Sequence, residues 1–499
     1  MKKILVANRG EIALRVMKAC REMGVPTVAV YSTVDKASLH VQFADEAVCI
    51  GPPPPLESYL NVDKIISAAK DKGADAVHPG YGFLAENSGF AKRCKDEGIT
   101  FIGPGHEAMR LLGNKVESRK AMVKAGVPVI PGMMGGGTDT ASLAKEASQM
   151  CLPVLVKAAG GGGGKGMRII RDAGEVEESL AACMREARSA FGDDTIYLEK
   201  YIEKPRHIEF QILGDLHGNV IHLFERECSI QRRYQKIVEE TPSTALDSEL
   251  RKRMGEVAVQ VARTAGYTNA GTVEFLLDRQ GKFYFLEVNA RVQVEHPITE
   301  AVVGVDMVKQ QIRVASGERL TLKQENLRQR GHAIECRIYA EDPENGFLPC
   351  AGKILYVREP QGPGIRCDSG IWSGCEVGVH YDPILSKLVV WDETRDDARK
   401  KMASALREYV ILGIRTTTSF LTEVMEHPAF AEGRTHTGFI AEHFVDWKEA
   451  GADQGVREAV LAAAAAAEKT GTGLRWAPAT PEAFSPWKSG GRWRIAEIA

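Results

Sequence analysis

Thr272-Val-Glu-Phe-Leu-Leu-Asp-Arg-Gln-Gly-Lys-Phe-Tyr-Phe-Leu-Glu-Val-Asn-Ala-Arg-Val-Gln-Val-Glu295 is the most informative stretch of this 499-residue chain. Thr272–Asp278 and Phe283–Val288 have the aromatic and β-branched content of strands, and Arg279-Gln280-Gly281-Lys282 between them reads as a turn. Glu274 and Glu287 lie equally far from the middle of that turn, so an antiparallel hairpin sets them side by side. Two carboxylates so placed repel unless a cation lies between them. From Glu287 onward alternation is strict: Glu287, Asn289, Arg291, Gln293 and Glu295 against Leu286, Val288, Ala290, Val292 and Val294. If the segment stays extended, a period of two puts all five polar groups on one face. A merely solvated face would carry Lys, Glu and Thr without order. Here two Glu and one Asn oxygen are hard ligands suited to Mg²⁺ held together with phosphates. The planar fork of Arg291 suits a small oxyanion, and Glu295 beside it is placed to act as a general base.

Upstream, the run Gly160–Gly164 is followed by Lys165 and Gly166. Consecutive glycines let backbone amides approach an anion with no Cβ in the way. A P-loop needs Gly-Lys-Ser/Thr opening a helix, whereas Lys165 is followed by Gly166 and a strand-like Met167–Ile170. The kinase glycine-loop spacing fits, but no His-Arg-Asp or Asp-Phe-Gly follows. What survives is a glycine hairpin between strands, built to close over a nucleotide's phosphates.

The first hundred residues alternate strand and helix: Lys3–Ala7, helix Glu11–Met23, Thr27–Tyr31, helix Val62–Lys70, Asp75–Val77 and Ile99–Ile102. That order implies a parallel sheet covered on both faces. Beyond Gly103 the pattern becomes mixed, with strands Ile196–Leu198, His207–Leu213 and Val220–Arg226 and a long helix Ser248–Ala265. The fold class is therefore α/β, with an α+β central part. Sixty-four Lys plus Arg against 66 Asp plus Glu leave a net charge of −2, which supplies no field for nucleic acid or acidic membranes. Arg226, Arg232, Arg233 and Lys236 look basic, but Glu225, Glu227, Glu239 and Glu240 match them and point to a buried charge network. The longest apolar run, Ala459–Ala467, is nine residues against the roughly 20 of a membrane span. The Met1–Arg9 start lacks the apolar core of a secretory signal, so a cytoplasmic location is expected. Ten scattered cysteines with no Cys-x-x-Cys pair argue against disulfides or structural zinc.

Lys157-Ala-Ala-Gly-Gly-Gly-Gly-Gly-Lys-Gly-Met-Arg168, Arg206-His-Ile-Glu-Phe-Gln211, Glu225-Arg-Glu-Cys-Ser-Ile-Gln-Arg-Arg233, Glu287-Val-Asn-Ala-Arg-Val-Gln-Val-Glu-His-Pro297 and Gly331-His-Ala-Ile-Glu-Cys-Arg337 together resemble the biotin carboxylases, the ATP-grasp component of biotin-dependent carboxylases. The resemblance runs in order from Met1 to about Phe444. It implies an N-terminal Rossmann-like domain (1–113), an ATP-grasp domain (114–331) with a lid at about 130–203, and a C-terminal biotin-carboxylase domain (332–446). It further implies ATP- and bicarbonate-dependent carboxylation of biotin N1′ through carboxyphosphate. Lys115, Lys157, Glu199, Lys200, His207 and Gln231 would contact ATP, and Gly162, Gly163 and Gly164 would belong to the lid. Glu274, Glu287 and Asn289 would hold Mg²⁺ or Mn²⁺. Lys236, Arg291, Gln293 and Val294 would bind bicarbonate, Glu295 would take its proton, and Arg337 would stabilise the biotin oxygen, with Tyr81 near the biotin. Tyr234 stands where the family more often has His or Asn.

The resemblance also implies partners: a biotin carboxyl carrier protein, a separate carboxyltransferase chain, and a second copy in a homodimer. A carrier domain needs a Met-Lys-Met hairpin, and none occurs, so biotin is expected on another polypeptide. Residues 447–499, with three Trp near the end, read as a docking element or a loosely ordered terminus. Two other readings stand beside this one: an ATP-grasp ligase acting on a purine-precursor amine or forming carbamoyl phosphate (the latter type resembles two tandem copies of a module present here once), and a nucleotide-sensing protein without turnover.

Overall fold

The computed structural model describes residues 1–133, 135–159 and 167–449. Contacts divide the chain into Met1–Trp447 and Lys448–Ala499, and the site lies within the first. Gly162, Gly163, Gly164 and nearly all of the 447–499 extension fall outside the described residues.

The N-terminal strands form a five-stranded parallel sheet in the order Glu46–Gly51, Thr27–Ser32, Ile4–Val6, Ala76–His78, Thr100–Phe101. Alternation decides which face each residue serves. Leu5, Val28, Val30 and Val77 pack with Phe90 and Ile65 on one side, while Ile4, Val6, Ala29 and Ala76 pack with Ile12 and Val16 on the other. Both faces are covered, as the alternation of strand and helix requires.

The site stands on a second, eight-stranded antiparallel sheet. Its order is Phe283–Asn289, Asn269–Leu277, Arg206–Gly214, Val220–Arg232, Gln235–Thr241, His332–Tyr339, Ile384–Asp392, Ile365–Ser369. The sheet runs without a break across residue 331: Val238 pairs with Cys336 and Glu240 with Ile334. Helix Ser248–Thr264 covers one face through Leu250, Met254, Ala258 and Val261. Two strand features differ from the sequence reading. Val220–Arg232 continues beyond Arg226, and Gln235–Thr241 is a strand that no apolar pattern announces. Both lie inside the sheet, where buried ion pairs replace the apolar alternation on which strand recognition depends.

A third, three-stranded sheet (Met167–Ile170, Val154–Ala158, Ile196–Lys200) carries helices Thr140–Gln149 and Val176–Phe191 on one face. Val154 and Val156 pack toward those helices, so Leu155 and Lys157 turn to the opposite side, which faces the cleft.

The hairpin forms with the expected pairing, but by a different route. Thr272 pairs with Asn289, Val273 with Val288 and Glu274 with Glu287; the register then shifts, so that Phe275 pairs with Phe285. Leu286 is the extra residue of a β-bulge, and the turn closes over Asp278–Lys282 instead of a symmetric tetrapeptide. The ladder also ends at Asn289. Ala290–Val294 leave the sheet through a bend, and helix His296–Val303 begins directly after Glu295.

Candidate active site

A cleft of about 420 Å³ opens between the three-stranded sheet and the hairpin face of the large sheet. Lys115, Lys157, Lys200, His207, Gln231, Lys236, Glu274, Glu287, Asn289, Arg291, Gln293, Val294, Glu295 and Arg337 all line it. The five polar groups of the ribbon converge although the strand stops early. Glu199 lies just behind the wall, where its carboxylate meets Lys157 Nζ at 2.6 Å and Arg119 Nη1 at 2.9 Å. Tyr81 is not part of the lining; its hydroxyl donates to Glu11 in the N-terminal domain.

The floor of the cleft is a buried ionic lattice. Lys236 Nζ donates to Glu209 at 2.5 Å, to Glu274 at 2.8 Å and to Glu295 at 2.8 Å. Arg226, fully buried, spends every guanidinium nitrogen: on Glu209 (2.6 Å), Gln211 (2.8 Å), Thr299 (2.9 Å), Thr272 (3.1 Å) and Gln293 (2.9 Å). Arg337 bridges Glu239 through Nε (2.7 Å) and Glu295 through Nη2 (2.9 Å). Burial opposes the charge on Lys236, but Glu209, Glu274 and Glu295 overcome it and hold the ammonium well above its ordinary range. Burial likewise opposes ionisation of Glu295, yet Lys236, Arg337 and Arg226 hold its carboxyl well below the usual range. Lys236 and His207 do the same for Glu274. Both are carboxylates at neutral pH.

The buried charge network expected from the basic and acidic residues at 225–240 exists, but its pairs lie elsewhere. Glu225 takes Arg251, Glu227 takes Arg206, Glu240 takes Arg395 and His332, and Arg232 takes Glu341. Arg233 is exposed, in a turn where it and Tyr234 have φ of 48° and 67°. Adjacent residues on a strand point to opposite faces, so neighbours in sequence are poor guides to ion pairing.

The Lys115 side of the cleft is more open. Lys115 Nζ stands 3.6 Å from Glu287, whose side chain is 40% exposed. His207 Nε2 lies 3.1 Å from Glu274, and Gln231 contacts His207 Nδ1 at 3.3 Å. The donor set fits a hard divalent cation. Glu274 and Glu287 are in register across the ladder, and Asn289 beside them gives Nδ2 to Glu274 at 2.8 Å. Asn289 Oδ1 accepts from Arg291 at 3.0 Å and keeps a second lone pair. An oxygen-only set of this kind with two negative charges is what Mg²⁺ takes alongside phosphates.

Sequence reading passes over three residues that build the site. Glu209 joins Arg226 to Lys236 at the centre of the lattice; His207, Glu209 and Gln211 recur at period two, a pattern that could have revealed it. Glu86, from an N-terminal loop, accepts from the Ala290 amide (2.9 Å) and from Arg291 Nε (3.0 Å), and nothing in its neighbourhood marks it. Lys387, on strand Ile384–Asp392, is completely buried and donates to the Val294 carbonyl at 2.8 Å.

Lysines, an oxygen-only donor set and a guanidinium beside a buried carboxylate thus share one cleft, the groups that an ATP-dependent ligase would need. Three family models match in succession: "Biotin carboxylase, N-terminal domain" over 1–109, "Carbamoyl-phosphate synthase L chain, ATP binding domain" over 114–323 and "Biotin carboxylase C-terminal domain" over 335–442. The biotin carboxylase of a Nostoc species is 53% identical over 440 residues, covering 88% of this chain and 98% of its own length. The biotin carboxylase domain dimer of Hydrogenobacter thermophilus 2-oxoglutarate carboxylase, solved with MgADP, ADP and bicarbonate, superposes with a TM-score of 0.88 at 48% identity over 90% of this chain and 99% of that one. Pyruvate carboxylase of Rhizobium etli superposes with a TM-score of 0.85 at 44% identity, over 91% of this chain and 41% of that longer one. The chain belongs to the biotin carboxylase family. Among the described residues no helix is long and apolar enough to cross a membrane.

Proposed function

We propose that this chain carboxylates biotin N1′ at the cost of ATP, with bicarbonate bound between Lys236, Arg291 and the Gln293–Val294 backbone. The observation that carries the reading is Glu295, a buried carboxylate held by Lys236 at 2.8 Å and Arg337 at 2.9 Å at the point where ribbon, floor and C-terminal strand meet. Ionised, it is ready to accept the bicarbonate proton. A bound anion takes a share of the Lys236 charge, which lifts the basicity of Glu295 when the proton must move. The bicarbonate oxygen then attacks the γ-phosphorus, ADP leaves, and carboxyphosphate forms. Its breakdown gives CO₂ and phosphate, the phosphate takes the N1′ proton of biotin, and the nitrogen attacks CO₂. Arg337 stabilises the developing negative charge on the biotin ureido oxygen.

Glu274, Glu287 and Asn289 would hold Mg²⁺ or Mn²⁺, which supplies neutralisation of phosphate charge. Lys115, Lys157 and His207 serve the phosphates, Glu199, Lys200 and Gln231 the nucleoside end, and Gly162–Gly164 the closure that keeps water from carboxyphosphate. Tyr81 is assigned to the biotin side. The reading divides the chain at 1–113, 114–331 and 332–446, with 447–499 as a docking element. It places the chain in the cytoplasm, in a homodimer, with biotin arriving on a separate carrier protein and leaving for a carboxyltransferase. Similarity both to free-standing biotin carboxylases and to the carboxylase portion of longer chains supports those partners. The test is ATP hydrolysis that requires bicarbonate, coupled to incorporation of labelled bicarbonate into free biotin. Incorporation into an amine acceptor, with none into biotin, overturns it.

A further inference from the structure

Once the ribbon leaves the ladder at Asn289, its backbone groups need other partners, since a buried amide or carbonyl without one is costly. Glu86 takes the Ala290 amide, and Lys387 takes the Val294 carbonyl. Lys387 is an expensive choice for that task, because a fully buried ammonium must be neutralised. The neutralising group nearest to it comes from the other end of the chain: Glu11 Oε2, in the first turn of helix Gly10–Glu22, lies 3.4 Å from Lys387 Nζ. Asp368 Oδ2 is farther, at 4.0 Å, and is already engaged by Arg366 at 2.7 Å. The second oxygen of Glu11 accepts from the Tyr81 hydroxyl, and the Tyr81 carbonyl is pinned by Asn8 Nδ2 at 2.7 Å. The Lys387 ammonium stands 6.0 Å from the centre of the Tyr81 ring.

Tyr81, Glu11, Lys387 and the Val294–Glu295 peptide thus form one continuous chain of contacts from the N-terminal domain to the proposed base. Cross-strand pairing places Lys387 beside Arg337, so neighbouring strands grip the same corner of the ribbon, one by the Glu295 side chain and one by the peptide before it. We propose that Glu11 and Lys387 are positioning residues that make the bicarbonate side of the cleft depend on the seating of Tyr81. The proposal rests on the assignment of bicarbonate to Val294 and Glu295 given above.

A double-mutant cycle on the full chain tests it, read as KM for bicarbonate in ATP hydrolysis with KM for ATP as control. Lys387→Met raises the bicarbonate KM about tenfold, the loss expected of one hydrogen bond to a charged group. Tyr81→Phe alone raises it about threefold, a coupling typical of residues in one network, and adds nothing in the Lys387→Met background. A merely structural role would lower thermal stability and the active fraction while leaving KM where it was. Should Lys387→Met not fold, Glu11→Gln takes its place in the same cycle, since the amide still accepts from Tyr81 but carries no charge toward Lys387. Effects that multiply, or a Tyr81→Phe variant with unaltered bicarbonate KM, overturn the relay alone. A wild-type chain without bicarbonate-dependent hydrolysis overturns the functional reading and the relay with it.

Discussion

Glu274 and Glu287 face one another across a single rung of one hairpin, yet they live in different electrostatic worlds. Glu274 is buried, and its oxygens meet Lys236, His207, Asn289 and Gln293 within 3.1 Å. Glu287 is 40% exposed on its side chain and has Lys115 at 3.6 Å. The difference follows from position: one strand lies inside the sheet and the other at its edge. A charge inside a protein must be compensated by the protein itself, whereas one at a rim is compensated by water and ligands. The floor is therefore compensated from within, and the rim is left open to solvent and to whatever enters the cleft.

That contrast can be broken most forcefully at Glu295. Glu295→Gln is expected to lower bicarbonate-dependent ATP hydrolysis by about 10³-fold, within the span of a lost general base, while KM for ATP stays within about threefold. Full activity in steady-state assays would remove the base from the floor. Next in size, Arg226→Met should destabilise the chain by about 3–5 kcal/mol, because it breaks a fully buried ion pair, leaves Glu209 with Lys236 as its remaining cation and takes the donors from Gln211 and Gln293. Denaturant unfolding followed by circular dichroism measures this, and an unchanged midpoint would show that the lattice is not structural. At the rim, Glu287→Gln should leave thermal stability unaltered and raise the Mg²⁺ concentration for half-maximal ATP hydrolysis about tenfold, the effect of losing one charged ligand. A fall in melting temperature as large as that of the floor variant would erase the distinction.

The smallest effect concerns pH. Glu335 is buried and neither of its oxygens has a hydrogen-bond partner among the described residues; burial, opposed by Lys387 but reinforced by Glu239, pushes its carboxyl well above the usual range. The folded state therefore holds a proton that the unfolded chain releases, so stability falls as pH rises above the ordinary glutamate range of about 4.3. Glu335→Gln removes that linkage. Its melting temperature should exceed wild type at pH 8, with the gain shrinking to nothing near pH 4, as scanning calorimetry at several pH values would show.

How far the sequence reveals this molecule depends on whether a feature is local. The Glu274–Glu287 pairing, the parallel N-terminal sheet and the helix boundaries are legible because period and turn chemistry carry them. Gln235–Thr241 is not, since Lys236, Glu239 and Glu240, distributed over both of its faces, take partners from four other strands or helices, and charge balance at a distance leaves no periodic trace. Lys387 and Glu86 are illegible for the same reason. Each is an ordinary residue in its own segment and acquires meaning only when another part of the chain is brought against it.

The bulge at Leu286 has an arithmetic consequence. Without the extra residue, pairing Glu274 with Glu287 would set Leu286 against Phe275 in the core and send Phe285 to the opposite side. With it, Phe285 joins Phe275 in the interior while Leu286 turns out beside Leu276 to give the cleft a greasy wall next to its acidic rim. An odd residue count thus lets one hairpin present an apolar surface and carboxylate oxygens to the same cleft. Any deletion that tidied the ladder would forfeit one of the two.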